Sequence, residues 1–357
     1  MLTTNRPLTY IVIINWNGWE DTIECLETII TQTYSNYKIV LCDNDSTDKS
    51  IEQIIKWSNR KIIVDITRYG KLPNVKITNS DDIVRCTEIA NTSHIASDVP
   101  LLTILQTGDN LGFTGGNNVG IEFAIRQRAD YVWLLNNDTI VASTCLEEML
   151  KVIEGNPKIG ALGSKIYCAD EPKKIWFAGA TFNPYYGQSK MTECGIEDDG
   201  INWENDVEAA FITGCSILIP TLIIEKIGYL DDDYFFGVED LDFSLRVQKI
   251  GYKCMVARKS QLWHKVSGST GGMDSPVYTY YFLRNRLLLM KKHGKIYHLP
   301  SFTIHYIGSF IIKNLILSVI KGTLRKSYIA TYLSLKDFAR GKFGRASSDV
   351  ESFFIDK

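Results

Sequence analysis

The stretch Tyr131-Val-Trp-Leu-Leu-Asn-Asn-Asp138-Thr139 runs four apolar residues, Val132 to Leu135, straight into three hydrogen-bonding side chains, the last a carboxylate. An uninterrupted apolar run of this length suits a strand covered on both faces, as in parallel sheets. In open α/β sheets, ligands collect beyond the carboxyl ends of the strands, so such a strand delivers polar groups where chemistry can reach them. The same residues also suit a plain strand followed by an Asn/Asp turn. The neighbouring segments have to decide between the two.

Working outward, Leu8 to Asn15, Tyr37 to Asp43 and Leu101 to Thr107 are further strand candidates. Between them, Trp19 to Ile30 places apolar residues at 19, 23, 26, 29 and 30, the spacing of a helix with one buried face. Ser46-Thr-Asp-Lys-Ser-Ile51 looks like a capped helix start. This alternation predicts an α/β fold, a mixed, mostly parallel sheet flanked by helices. Residues 59–100 lack clear periodicity and contain Tyr69-Gly70-Lys-Leu-Pro73 and Asn79-Ser-Asp-Asp82, so an insertion, perhaps shaped as a hairpin, is expected there. Beyond Ile159, the pieces Ile159 to Tyr167, Ile175 to Ala180 and Glu208 to Ile219 predict a smaller mixed sheet, followed by a helix from Glu239 that stops at Gly251.

With 357 residues and 45% hydrophobic content, the chain can bury a large core. Its eight cysteines include no Cys-x-x-Cys pair, which argues against a thiolate metal cluster and points to free thiols in a reducing compartment. Met1 leads directly into the strand-like Tyr10 to Ile14 without a signal peptide, so a cytoplasmic location is expected. The net charge of −2 is unevenly spread. Residues 278–348 carry 13 Lys/Arg against the single acid Asp337, whereas residues 1–277 carry 25 Lys/Arg and 37 Asp/Glu. An acidic catalytic domain, residues 1–277, and a basic helical tail, residues 278–357, are expected.

Within that tail, Ser301 to Gly322 is apolar in bulk but interrupted by His305, Lys313 and Asn314. A charge at mid-bilayer is costly, so an interfacial helix on an anionic cytoplasmic membrane face fits better than a spanning one. An ordinary helical hairpin packed on the body or on a second subunit of a homo-oligomer is the other expectation. No nucleic-acid module accompanies the basic residues, so nucleic acid is not an expected partner.

Three segments at strand ends carry chemistry. Asp43-Asn-Asp-Ser-Thr-Asp48 offers acceptors and helix amides able to read a pyrimidine edge and a ribose, while Ser46 or Asp48 also suits a helix cap. Asn110-Leu-Gly-Phe-Thr-Gly-Gly-Asn-Asn-Val-Gly120 follows the next strand with glycines for close approach and amides aimed at negative charge, and it lacks the Gly-Lys-Ser/Thr of a Walker loop. Asn136, Asn137 and Asp138 then offer hard oxygen ligands suited to Mg²⁺ or Mn²⁺ beside a diphosphate. Farther on, Phe235-Phe-Gly-Val-Glu-Asp-Leu-Asp242 places adjacent acids at a helix start under aromatic residues. There, Asp240 is the candidate general base, and Asp242 with Arg246, four apart, reads as a structural pair. His264 follows a strand-like run and suits a metal or phosphate ligand.

Taken in order, INWNG (14–18), DNDSTD (43–48), NLGFTGGNN (110–118), LLNND (134–138), IWFAGA (175–180), FITG (211–214), GYLDDDYFFGVEDLDFSLR (228–246), WHKVSGS (263–269) and YYFLRNR (280–286) resemble family 2 glycosyltransferases of the GT-A fold, in particular a rhamnosyltransferase-like subgroup. The resemblance covers residues 8–293. It implies a nucleotide-sugar donor whose nucleotide meets Asn15, Asp43, Asn44, Asp45, the loop with Gly115, Gly116 and Asn117, and Asn136 and Asn137. It further implies Asp138 and His264 as ligands of Mg²⁺ or Mn²⁺, and Asp240 as the base of an inverting displacement. Asn136 stands where the commoner Asp-x-Asp triplet has its first carboxylate, which removes one formal charge. The implied donor is dTDP-L-rhamnose, with a UDP-hexose as competitor, and the implied acceptor is a cell-surface glycan or lipid-linked oligosaccharide. A nucleotidyltransferase is disfavoured because Asn15-Trp-Asn-Gly18 offers no cation for a triphosphate. A non-catalytic nucleotide-sugar-binding protein is disfavoured because Asp138 and Asp240 are both present.

Overall fold

The computed structural model describes residues 6–76, 84, 86–89, 99–201, 205–265, 275–308, 312, 316, 319 and 324–355. Its strands are β1 (Thr9–Asn15), β2 (Tyr37–Asp43), β3 (Cys86–Ile89), β4 (Leu102–Gln106), β5 (Tyr131–Asn136), β6 (Thr139–Val141), β7 (Ile159–Cys168), β8 (Ile175–Phe177), β9 (Ala180–Asn183), β10 (Gln188–Met191), β11 (Val207–Glu208), β12 (Ser216–Pro220) and β13 (Lys253–His264). The helices of the body are α1 (Trp19–Ile29), α2 (Ser50–Ser58), α3 (Gly112–Arg126), α4 (Cys145–Gly155), α5 (Thr221–Ile227) and α6 (Glu239–Lys249), with α7 (Pro276–His293) beyond them.

Eleven strands form one mixed sheet in the order β11-β13-β7-β12-β5-β1-β2-β4-β3, with β6 on β13 and β8 on β7. β1 runs parallel to β2 on one side and to β5 on the other, so that Asn15 pairs with Asp43 and Ile14 with Asn136. Register alone therefore gathers three of the polar candidates on one sheet edge. Ile11 to Ile13 and Val132 to Leu134 are fully buried, as a strand covered by helices on both faces requires. Gly120 lets α3 lie close to the sheet, because a Cβ there would collide with Val12 and crowd the Cys42 sulfur.

Four expectations need correction. The strands beyond Ile159 do not make a smaller sheet: β7, β12 and β13 extend the main one, and only β9 and β10 pair apart from it. The apolar run Ile217 to Ile219 is buried between β5 and β7, a partnership that local sequence does not encode. In the insertion, Thr67–Tyr69 is a 3₁₀ turn and β3 is a parallel edge strand on β4 rather than half of a hairpin, while residues 77–83, 85 and 90–98 lie outside the described residues. The helix expected from Ser46 begins at Ser50, because the Ser46 hydroxyl donates to Asp43 and its oxygen accepts from Asn15.

Of the segment expected as an interfacial helix, Lys313, Asn314 and most of residues 309–323 lie outside the described residues. Among the described residues, no helix is long and apolar enough to cross a membrane. α7 packs on the helix Leu324–Ala339, with the Tyr280 hydroxyl donating to Asp337 Oδ2 at 2.7 Å.

Candidate active site

A cleft of about 460 Å³ opens at the carboxyl edge of β1, β2 and β5, lined by Trp16, Asn44, Asn110, Asn117, Asn136, Asn137 and Asp138 and roofed by Phe235, Phe236 and Tyr281. Asn15 and Asp43 lie beneath it rather than in it. The Asn15 amide donates to Asp43 Oδ2 at 2.7 Å and to Ser46 Oγ at 3.0 Å, and Asn15 Oδ1 accepts from Thr22 Oγ1 at 2.8 Å. Their polar groups are thereby spent on shaping the β2 tip. Asn44 reaches the cleft and ties that tip to the next loop, donating to Asn110 Oδ1 and the Gly112 carbonyl, each at 3.1 Å. Asp45 is exposed, in the left-handed region at φ 62°. The half-exposed Trp16 indole at the rim is a cleft residue that the sequence reading did not single out. Its position directly after the β1 tip was the available signal.

Gly115 and Gly116 belong to the first turns of α3, not to a loop, and neither lines the cleft. A Cβ on Gly116 would sit 3.2 Å from Ile14 Cδ1 and 3.3 Å from Asn44 Oδ1, so this glycine serves the close approach of helix to strand. The first amides of α3 are also not turned to a ligand: those of Phe113 and Thr114 donate to the Phe235 carbonyl at 2.8 and 3.3 Å. The aromatic segment before α6 thus closes over the helix start that sequence had suggested for an anion.

Asp138 and His264 meet. After β5, the chain turns into β6, and pairing of β6 with β13 sets Thr139 opposite His264. This register brings His264 Nε2 to 3.1 Å from Asp138 Oδ1, while the Lys265 amide donates to the Asp138 carbonyl at 2.9 Å. The His264 ring is buried with Trp176 edge-on at 4.6 Å, and its Nδ1 makes no hydrogen bond among the described residues. Behind this pair, the Lys265 ammonium contacts Asp21 at 2.7 Å and Glu24 at 2.5 Å, and Glu24 also receives Arg68 and the Tyr69 hydroxyl. Burial alone would raise the Glu24 carboxyl, but Lys265 and Arg68 outweigh it and hold the group below its ordinary range. Arg68 and Tyr69 come from the insertion, which therefore braces the strand end that carries His264. Nothing in the local sequence foretold that.

Asp240 approaches the same edge from α6. Its Oδ2 accepts from the Gly214 amide at 3.1 Å, and the carbonyl of the next residue, Cys215, accepts from the Asn136 amide at 3.0 Å. The carboxylate is thus two links from the β5 tip. Phe235, Gly237 and Val238 all have positive φ (59°, 83° and 79°), a costly conformation for the β-branched valine. Buried Asn285 of α7 holds this turn, its amide lying 2.7, 2.8 and 2.9 Å from the carbonyl oxygens of Tyr234, Phe236 and Gly237. Burial raises the Asp240 carboxyl, opposed by the Gly214 and Leu241 amides and by the charge of Arg286. Glu239, not singled out from sequence, is buried with an Oε2 that has no hydrogen-bond partner among the described residues. Burial, together with the Asp240 charge, pushes its carboxyl up to about 8. Asp242 and Arg246 form the expected pair at 2.8 Å, and His293 Nε2 adds a contact at 2.7 Å.

Residues 10–76 and 87–204 match glycosyl transferase family 2. The dTDP-rhamnosyl transferase RfbF of Shigella flexneri is 21% identical over 218 residues, which cover 57% of this chain and 67% of that protein. The low-salt glycan biosynthesis hexosyltransferase Agl10 of Haloferax volcanii is 21% identical over 188 residues, which cover 52% of this chain and 58% of that one. Among solved structures, GalNAc-T7 with UDP, GalNAc and Mn²⁺ superposes with a TM-score of 0.54 at 15% identity, over 87% of this chain and 55% of that one. The mannosyltransferase PcManGT from Pyrobaculum calidifontis, with GDP-Man and Mn²⁺, gives 0.50 at 15% identity, over 99% of this chain and 86% of that one. This chain spans little more than half the length of Agl10 and GalNAc-T7. The mixed sheet, its flanking helices and these matches together place the chain in glycosyl transferase family 2, as a glycosyltransferase with the GT-A fold.

Proposed function

We propose that the chain is an inverting, divalent-metal-dependent transferase that moves a sugar, foremost L-rhamnose from dTDP-L-rhamnose, to a hydroxyl of a cell-surface glycan or lipid-linked oligosaccharide. The observation that carries this reading is the contact of His264 with Asp138 at the tip of β5, with Asp240 tied to the same edge through Gly214. A carboxylate oxygen and an imidazole nitrogen suit Mn²⁺ or Mg²⁺, which complete their shells with phosphate oxygens and water. Among the described residues, no set of three or more His, Cys, Asp or Glu side chains gathers, so two protein ligands are what the site offers. The cation, when bound, neutralises charge on the departing diphosphate.

In this reading, the nucleoside lies along Asn44, Asn117, Asn136 and Asn137, with Asn15, Asp43 and Asp45 shaping the β2 tip and Gly115 and Gly116 letting α3 lie against it. Asp240 takes the proton of the acceptor hydroxyl. The freed oxygen bonds to the anomeric carbon as the bond from that carbon to the diphosphate oxygen breaks, which inverts the centre. The dTDP-rhamnosyl transferase among the relatives supports rhamnose, whereas the hexosyltransferase and the UDP-bound neighbour keep a UDP-hexose as the alternative.

Thermal unfolding with Mn²⁺ and a panel of nucleotide sugars separates the two donors. Ligand at a hundredfold excess over its dissociation constant adds about 2.7 kcal/mol. Protection by dTDP-L-rhamnose above that by UDP-glucose and UDP-galactose is expected. The reverse order would transfer the assignment to the hexose, and no protection by any member would remove the donor site.

A peripheral position on the cytoplasmic face of a membrane is part of the proposal. Ile296, Leu299, Ile304, Ile312, Ile316 and Val319 are exposed close to Lys291, Lys292 and Lys295 in the chain. Apolar side chains flanked by cations suit an anionic lipid surface. The protein is expected to sediment with phosphatidylglycerol vesicles, and Ile304→Glu with Ile312→Glu to stay in solution; a wild type that remains in the supernatant would contradict this placement.

A further inference from the structure

The far end of the chain returns to the cleft. Gly344 is clasped from two sides, its amide donating to the Asp233 carbonyl at 2.7 Å and its carbonyl accepting from Arg284 Nη2 at 2.6 Å. The Ala346 amide then donates to the Tyr281 hydroxyl at 3.0 Å, and the Tyr281 ring stacks on Phe235 at 5.3 Å. Ala346 and Val350 are buried in a small apolar cluster with Tyr280 and Tyr281, against which Phe235 and Phe236 pack. Residues 344–351 therefore form a built wall of the cleft rather than a loose end, and Arg345 and Glu351 both line it.

Among the described residues, Arg345 is the only cation that lines this cleft. Its guanidinium is held by carboxylates: Nη1 lies 2.7 Å from Asp109 Oδ1, and Nε and Nη2 lie 2.8 and 3.2 Å from the two Glu351 oxygens. A two-pronged grip on a carboxylate is the geometry in which arginine also takes a phosphate. Glu351 is thus placed where an incoming anion would compete for the same donors.

We propose that Arg345 binds the diphosphate of the nucleotide donor, exchanging Glu351 for a phosphate oxygen. This inference rests on the assignment of the cleft to a nucleotide sugar. The C-terminal segment then supplies the second positive charge of the site, opposite the cation held by Asp138 and His264. One formal carboxylate is missing at Asn136, so the metal side is less anionic than an Asp-x-Asp triplet, and an arginine contributed from the tail adds to the attraction for the diphosphate.

Calorimetric titration with dTDP, UDP, thymidine and uridine in the presence of Mn²⁺ tests the assignment. Arg345→Gln is expected to weaken the diphosphates by roughly tenfold or more while leaving the nucleosides within about twofold, since only the diphosphates carry the charge that arginine grips. Arg345→Lys should fall between. Glu351→Gln is expected to tighten the diphosphates severalfold, because it removes the competing carboxylate. A clasp that merely holds the wall together would give the opposite sign, so weaker binding by Glu351→Gln overturns the inference. Equal loss of nucleoside and diphosphate binding in Arg345→Gln, or no loss of either, overturns it as well. A wild type that binds none of the four ligands would instead remove the cleft assignment itself, and this inference with it.

Discussion

Asp240→Asn is expected to lower sugar transfer by about 10²–10⁴-fold, the usual worth of a general base, while changing nucleotide affinity by less than about twofold. The amide is nearly isosteric and can still accept from the Gly214 and Leu241 amides, so the turn should persist. It cannot take a proton from an acceptor hydroxyl. In the wild type, burial raises the Asp240 carboxyl, so the ionised base becomes scarcer as pH falls and the rate should decline with it. The variant should lose that acid limb. Transfer at the wild-type rate by Asp240→Asn, measured with a donor shown to bind, would take Asp240 out of the mechanism.

Asn285→Ala is expected to destabilise the protein by about 2–4 kcal/mol and to depress turnover along with it. One amide lies against the carbonyl oxygens of Tyr234, Phe236 and Gly237, and its removal leaves buried acceptors with no donor, at about 1–3 kcal/mol each before relaxation. Those carbonyls belong to the turn whose positive φ angles aim Glu239 and Asp240 into the site. Asn285→Asp should be worse, because a carboxylate would face three carbonyl oxygens. The midpoint of denaturant unfolding measures the first effect, and turnover at saturating donor measures the second. Unchanged values of both would show that the turn holds without α7.

Much of the fold was legible because its signals are local. Apolar runs such as Tyr10 to Ile13 and Val132 to Leu135 announce covered strands, and the polar residues directly after them fall on one edge once parallel register is imposed. Partnership at long range was not legible. Ile217 to Ile219 carries no mark of its insertion between β5 and β7, so the later strands read as a separate sheet. The candidate site follows the same division. Asp138, His264 and Asp240 stand out because a polar group interrupts an apolar context. Glu24, Arg68, Lys265, Asn285 and Arg345 look like ordinary surface or helix residues until the fold supplies their partners. Gly115 and Gly116 misled for a related reason: a glycine beside a strand tip serves helix packing as readily as ligand approach.

The convergence of the β5 tip and His264 on one ligand is tested most directly by calorimetric titration of dTDP with and without Mn²⁺, in the wild type and in Asp138→Ala. Wild-type affinity is expected to rise on addition of Mn²⁺, and that gain is expected to vanish in Asp138→Ala while metal-free affinity stays within about twofold. An equal gain from Mn²⁺ in both proteins would contradict the assignment of Asp138 and, with it, the placement of the diphosphate at the end of β5.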